Sequence, residues 1–281
     1  MEWVDGLNQT IAYIEDHLTD EIDYEALAKL ACCSAYHYQR MFAYMAGVSL
    51  TEYIRRRRMS LAAVDLQAGE KVLDVGLKYG YQSPTAFNRA FQSVHGTAPS
   101  AVREAGAAVK SFPPLRFTIT IKGVEEMEYR IEKREAFRVA GISMEIEKDM
   151  EKNFQVVPRL WDKAARDGTL QRLTEIMDSQ PMGILGVCDC PDEKPWRYYV
   201  ACATTQSGAG LEEFSVPAAT WAIFSGEGTF QSIQQLEQRV LTEWLPSSGY
   251  EYGSAPDIEV YLNADPCNAK YEVWIPVVKK N

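Results

Sequence analysis

The stretch LAKLACCSAYHYQRMF, residues 27–42, decides the first half of the fold. Asp23 can cap a short helix over 24–31, with Leu27 and Leu30 inward. Ser34 can cap a second helix over 35–46, which Gly47 ends at a C′-like position. Two helices joined by so short a turn form a helix-turn-helix unit. In such a unit the second helix enters the major groove and its N-terminal residues reach base edges.

The same design recurs in VLDVGLKYGYQSPTAFNRAF, residues 72–91. A short helix over 72–79 carries Val72, Val75 and Leu77, and Gly80 makes the turn. Ser83 caps the next helix, with Pro84 at its first position, where proline is favoured. Phe87 and Phe91 stand one turn apart, and the helix ends near Gly96. Between the two units, SLTEYIRRRRMSLAAVDL (49–66) reads as one long helix over 50–67, with Tyr53, Ile54, Leu61, Val64 and Leu66 apolar. Upstream, Val4, Leu7, Ile11, Ile14 and Leu18 recur at helical spacing. Downstream, GTAPSAVR (96–103) starts a last short helix.

Charge follows this division. The net charge of −10 counts against nucleic acid only while it is taken as a whole. Residues 1–28 hold eight acids and no Lys or Arg, whereas 29–103 hold ten Lys/Arg against four acids. Residues 104–281 hold 19 against 27. The basic block coincides with the helix-turn-helix segment and contains Arg55-Arg56-Arg57-Arg58. The polar residues of the two second helices are therefore the base-reading candidates: Tyr36, His37, Gln39 and Arg40 in the first, Ser83, Thr85, Asn88 and Arg89 in the second. Gln and Asn can pair bidentately with adenine, and Arg with guanine. His37 and His95 are assigned no catalytic role.

These strings, in this order and spacing, resemble the DNA-binding domain of the AraC/XylS family. The resemblance implies that both second helices lie in successive major-groove segments, set apart by the linking helix at about one DNA turn, roughly 34 Å. It places Tyr36, Gln39 and Arg40, then Ser83, Thr85, Asn88 and Arg89, at bases or adjoining phosphates. It places Arg55 and Arg57 at phosphates. Pro84 and Ala43 depart from many relatives, which have a polar and a basic residue there.

After Ala105-Gly106-Ala107-Ala108 and Pro113-Pro114 the pattern changes to strands alternating with helices. Strands are predicted over 116–122, 127–132, 137–144, 182–188 and 197–204, with a helix over 154–166. The order then recurs, with a strand over 219–225, a helix over 230–245, and strands over 257–262 and 271–277. Matching Ile184 to Ile258 and Val200 to Val273 gives offsets of 74 and 73. This predicts a duplicated strand-helix-strand-strand unit, the first copy carrying about ten extra residues around 167–180. The predicted fold is thus multidomain: an all-α double helix-turn-helix DNA-binding domain at 1–107, a linker and entry strand at 108–126, and an α+β domain of two pseudo-symmetric units at 127–281.

Paired units of this kind leave a groove in which ligands bind. Alternation puts Asp257, Glu259 and Tyr261 on one face of their strand and Ile258, Val260 and Leu262 on the other. If the aliphatic face packs on the helices, the Glu259 face lines the opposite surface. A carboxylate framed by aromatics attracts an organic cation.

The strings PDIEVYLNADP (256–266) and KYEVWIPVVKK (270–280), with the repeat, resemble the GyrI-like effector-binding domain. That resemblance implies a hydrophobic pocket with Glu259 as its carboxylate, Tyr261 and Trp161 as walls, and Glu272 as a second carboxylate.

The expected protein is a transcriptional regulator that is not an enzyme. Its expected partners are double-stranded promoter DNA, a small hydrophobic or cationic effector and RNA polymerase. Two other classes fit the C-terminal half, a hydrolase using Glu259 as base and Tyr261 as proton donor, or a protein-binding module. No metal, cofactor or membrane segment is expected. The three histidines and the cysteine pairs form no set of zinc-ligand spacing, and no apolar run nears the roughly 20 residues of a membrane span. Scattered cysteines and an acidic start without a basic leader point to the cytoplasm.

Overall fold

The computed structural model describes residues 2–103, 107–118, 126–147, 150–191, 195–207, 210–263 and 268–280. The predicted strand over 116–122 and the predicted linker and entry strand at 108–126 lie partly outside these residues; 116–118 are irregular. Two compact units divide the chain, one of residues 1–31 and 46–120, the other of 32–45 and 121–281.

The first unit contains α1 (Glu2–Asp16), α2 (Tyr24–Leu30), α4 (Leu50–Gln67), α5 (Val72–Lys78), α6 (Pro84–His95) and a 3₁₀ turn at Pro99–Arg103. Asp23 caps α2 as the sequence predicts, its Oδ1 accepting from the Glu25 and Ala26 amides. Ser49, not singled out in the sequence, caps α4 by accepting from the Glu52 amide. The core joins Met59, Ala62, Ala63 and Leu66 of α4 to Val75, Phe87 and Phe91. Gly76 lets α5 approach α6, since a Cβ there would meet the Phe87 ring at 3.3 Å. Val64 and Leu77, among the apolar positions of their helices, are exposed because the buried stripes run through Ala62, Ala63 and Leu66 on α4 and through Val75 on α5.

The second unit takes in α3 (Ala35–Ala46), the helix expected to read the first DNA half-site. The rest is β1 (Arg130–Arg134), β2 (Phe137–Ile146), α7 (Met150–Arg166), α8 (Thr169–Ile176), β3 (Ile184–Asp189), β4 (Trp196–Ala203), β5 (Glu212–Val216), β6 (Ala219–Gly228), α9 (Phe230–Arg239), β7 (Tyr250–Tyr252), β8 (Asp257–Tyr261) and β9 (Ala269–Lys279). The sheet runs β1-β6-β9-β8-β3-β4-β2-β5, with β7 beside β9. Beyond α9 the predicted helix continues as a π turn at Val240–Trp244, just before Pro246. Proline cannot donate in the α register, so the turn widens ahead of it.

The duplication is present in the pairing. In the first copy β2 and β3 both pair with β4; in the second, β6 and β8 both pair with β9. The copies join through the antiparallel pair β3–β8. Val200 faces Ile142 and Gly186, while Val273 faces Phe224 and Glu259. Register therefore equates Gly186 with Glu259 at an offset of 73, one less than the sequence match at Ile184. The offset of 82 between Ile142 and Phe224 makes the first copy nine residues longer, the extra length forming α8.

Candidate functional site

The second helix expected to read DNA, α6, presents its N-terminal turn to solvent. Ser83 Oγ accepts from the Ala86 amide at 3.1 Å, and Ser83, Thr85 and Arg89 are exposed while Asn88 is half-buried. Phe87, Phe91 and Val94 anchor the opposite face.

Of the two arginines of α4 expected at phosphates, Arg57 is held inside the protein, buried in its own unit. Its Nε donates to Glu15 Oε1 at 2.8 Å, its Nη2 to Glu15 Oε2 at 2.6 Å, and its Nη1 to the Phe112 carbonyl. Its guanidinium is thus committed to Glu15 and the Phe112 carbonyl, not turned outward as a phosphate contact requires. Arg58 donates to the Leu18 and Asp20 carbonyls beyond α1, and Arg56 pairs with Glu52 and lies over the Phe112 ring. Arg55 is half-buried like Arg56 and Arg58, paired with Glu52 and reaching Ser93. His95 is a packing residue: its Nδ1 accepts from the Lys110 amide, so Nε2 carries the proton and donates to the Met59 carbonyl at 3.0 Å. Burial lowers its pKa.

In the second unit a pocket forms around Glu259. The orientation differs from the expectation. Ile258 and Val260 pack into a cluster with Leu185, Val187, Trp221 and Trp274. Glu259 and Tyr261 therefore face α7 and α9, because Glu259 pairs with Val273, whose side chain packs with Ile233 and Leu241 of the α9 segment. Leu262 lies beyond the end of β8 and is exposed. Glu259 Oε2 accepts from Tyr198 Oη at 3.2 Å and from Tyr261 Oη at 3.1 Å. Trp161 Nε1 donates to Tyr198 Oη at 2.9 Å, and its ring meets Tyr261 edge-on at 4.9 Å. Burial, and then the nearby Glu237 carboxylate, raise the Glu259 pKa to about 8.

Gly186 makes this arrangement possible, since a Cβ would stand 2.3 Å from Tyr198 Oη and 2.8 Å from Glu259 Oε2. Gly186→Ala is expected to separate the phenol from the carboxylate at a cost of about 1–3 kcal/mol, the range for overpacking a close contact. A thermal melt and the Trp161 emission measure this, and unchanged values in both would remove Gly186 from the design.

Glu272, expected as the second pocket carboxylate, lies on the opposite face of the sheet. It accepts from Trp274 Nε1 at 2.8 Å and pairs with Arg130 at 2.9 Å. The second carboxylate is Glu237 of α9, 3% exposed. Sequence reasoning missed it, although its spacing four residues after Ile233 and four before Leu241 marks it as inward. Tyr198 and Asp257 were also missed as site residues.

Tyr36, Arg40 and Tyr44 recur every fourth residue along α3 and line the same pocket. Arg40 Nη1 donates to Asp257 Oδ2 at 2.7 Å, and its Nη2 pairs with Glu237 Oε1. Tyr44 Oη donates to Glu237 Oε2 at 2.7 Å. His37 stacks on Tyr252 at 3.7 Å and contacts Asp257 at 3.3 Å. Tyr36 packs edge-on against Trp196. Tyr36, Gln39 and Arg40, expected at bases, are all at most 5% exposed.

Among the described residues no cluster of His, Cys, Asp or Glu could hold a metal ion, and no helix is long and apolar enough to cross a membrane.

Residues 130–277 match the family described as integron-associated effector binding protein, and residues 27–105 match the helix-turn-helix domain family. The right origin-binding protein of Escherichia coli strain K12 is 25% identical over 296 residues, spanning 96% of this chain and 97% of that protein. The regulatory protein SoxS of the same strain is 34% identical over 98 residues, which are 34% of this chain and 92% of SoxS. The transcriptional regulator YbfP of Bacillus subtilis strain 168 is 33% identical over 104 residues; the match spans 37% of this chain and only 35% of YbfP.

Proposed function

This chain belongs to the AraC-type helix-turn-helix transcriptional regulators and to the integron-associated effector-binding family, and from that premise we propose that it binds double-stranded promoter DNA through α3 and α6 and senses a lipophilic organic cation in the pocket around Glu259. The carrying observation is the Glu259 carboxylate held between Tyr198 and Tyr261 beside Trp161. A buried carboxylate in an aromatic cage offers a cation charge, cation–π contact and desolvation together. Neutral ligands of equal size gain only the last.

On the DNA side, Thr85, Asn88 and Arg89 supply base contacts, with Arg55 at a phosphate. RNA polymerase is the protein partner through which such a regulator acts on transcription. Arg89→Ala is expected to cost about 1–3 kcal/mol at the correct site and to flatten preference at the base it reads. Binding titrations against single-base operator variants test this. Full discrimination by the variant would take Arg89 out of the reading set.

A further inference from the structure

Arg40 is itself an organic cation on a flexible stem, and it already pairs with Glu237 of the pocket and with Asp257, two residues before Glu259 on β8. It reaches Asp257 at 2.7 Å and Glu237 on its other side, with the Tyr44 ring 5.9 Å from its guanidinium carbon. We propose that Arg40 stands in for the effector, so that helix α3 and a cationic ligand compete for one site and ligand entry releases the first DNA-reading helix. This deepens the reading given above and rests on it.

Three observations support it. First, space: with α3 in place the pocket holds about 90 Å³ of free volume. Pockets for drug-sized ligands run to about 300–1,000 Å³, so such a ligand needs the room that Tyr36, Arg40 and Tyr44 fill. Second, charge: a ligand cation lying between Glu237 and Glu259 takes the place of the Arg40 guanidinium, so the exchange swaps one buried cation for another. Buried ion pairs are close to break-even against solvent, which makes such a swap accessible. Third, identity of surface: Tyr36 and Arg40, the side chains that seal the pocket, are those expected to read bases. Helix α3 therefore cannot occupy the pocket and a major groove together.

The test uses the full chain and rhodamine 6G, a fluorescent lipophilic cation. Hydrogen exchange is followed at residues 35–46 with and without saturating dye, and dye affinity is compared between wild type and Arg40→Ala. A ligand that must open a closed state binds more weakly by the closed fraction. Dye is therefore expected to lower protection across 35–46 by about tenfold, and R40A to bind it about tenfold more tightly. Glu237→Gln is expected to lower that protection without dye. If wild type and R40A bind dye equally and protection at 35–46 stays unchanged, the competition is wrong and the effector pocket stands. If neither protein binds dye saturably, the cation pocket and the competition fall together. Should R40A not fold, the exchange measurement on wild type decides alone.

Discussion

Glu259→Gln is expected to weaken a lipophilic cation by about thirty- to a hundredfold, the ~2–3 kcal/mol typical of removing one partner from a buried charge pair. It is also expected to stabilise the unliganded protein. Burial and Glu237 hold the folded-state pKa of Glu259 near 8, above its ordinary value of 4.5. Between those values the folded chain keeps a proton that the unfolded chain has lost, so stability falls as pH rises through that window. Glutamine has no proton to lose, and the gain at pH 8 should be on the order of 1–3 kcal/mol. Binding a cation must expel the proton. Affinity should therefore climb by up to about tenfold per pH unit below pH 8 and level off above it, while the variant shows no such slope. Calorimetric titrations at several pH values, with melting curves of both proteins, check each part. A pH-independent wild-type affinity, or a variant that melts below wild type at pH 8, would contradict the assignment.

The second large effect concerns the arginine run. Arg57→Ala should destabilise the N-terminal unit by about 3–5 kcal/mol, because it strands Glu15 as a largely buried, unpaired carboxylate. Arg57 and Glu15 side chains are 9% and 19% exposed. Tyr53 Oη also donates to Glu15 at 2.8 Å and accepts from the Leu115 amide at 3.2 Å, so the loss spreads to the 112–115 segment. Arg57→Lys keeps the charge but not the fork, and should recover only part of the stability. Arg57→Met with Glu15→Gln should recover more than Arg57→Ala alone. Urea unfolding measures all three. A loss below about 0.5 kcal/mol for Arg57→Ala, the level of an ordinary surface substitution, would mean the pair contributes nothing.

Much of the framework is legible in the sequence. Helix positions from 24 to 95 follow from caps, glycines and 3.6-residue periodicity, all of which are local. The duplicated unit was readable because strand order repeats at nearly constant offset. Two short strands, β5 and β7, and helix α8 went unread, since three to eight residues carry too little periodicity to register. Alternation separated Glu259 from Ile258 correctly. It could not tell which face meets the helices, because both faces of β8 are covered by apolar side chains. The arginine run shows the sharper limit. A row of charges identifies helix and sign, but whether a guanidinium meets phosphate or Glu15 depends on a residue 42 positions away. Arg40 is the extreme case, its partners lying 217 positions away at Asp257 and beyond α8 at Glu237.

The equivalence of Gly186 and Glu259 has a consequence for stoichiometry. A faithful internal two-fold would set two glutamates opposite each other on adjacent strands, sharing one proton as like charges at contact distance must. Such a site would titrate in two steps and suit a dication or a pair of ligands. With glycine at one of the two positions the symmetry is broken at its own axis. The two symmetry-related positions on β3 and β8 hold a single acid, Glu259, and each polypeptide should take up one equivalent of monovalent cation.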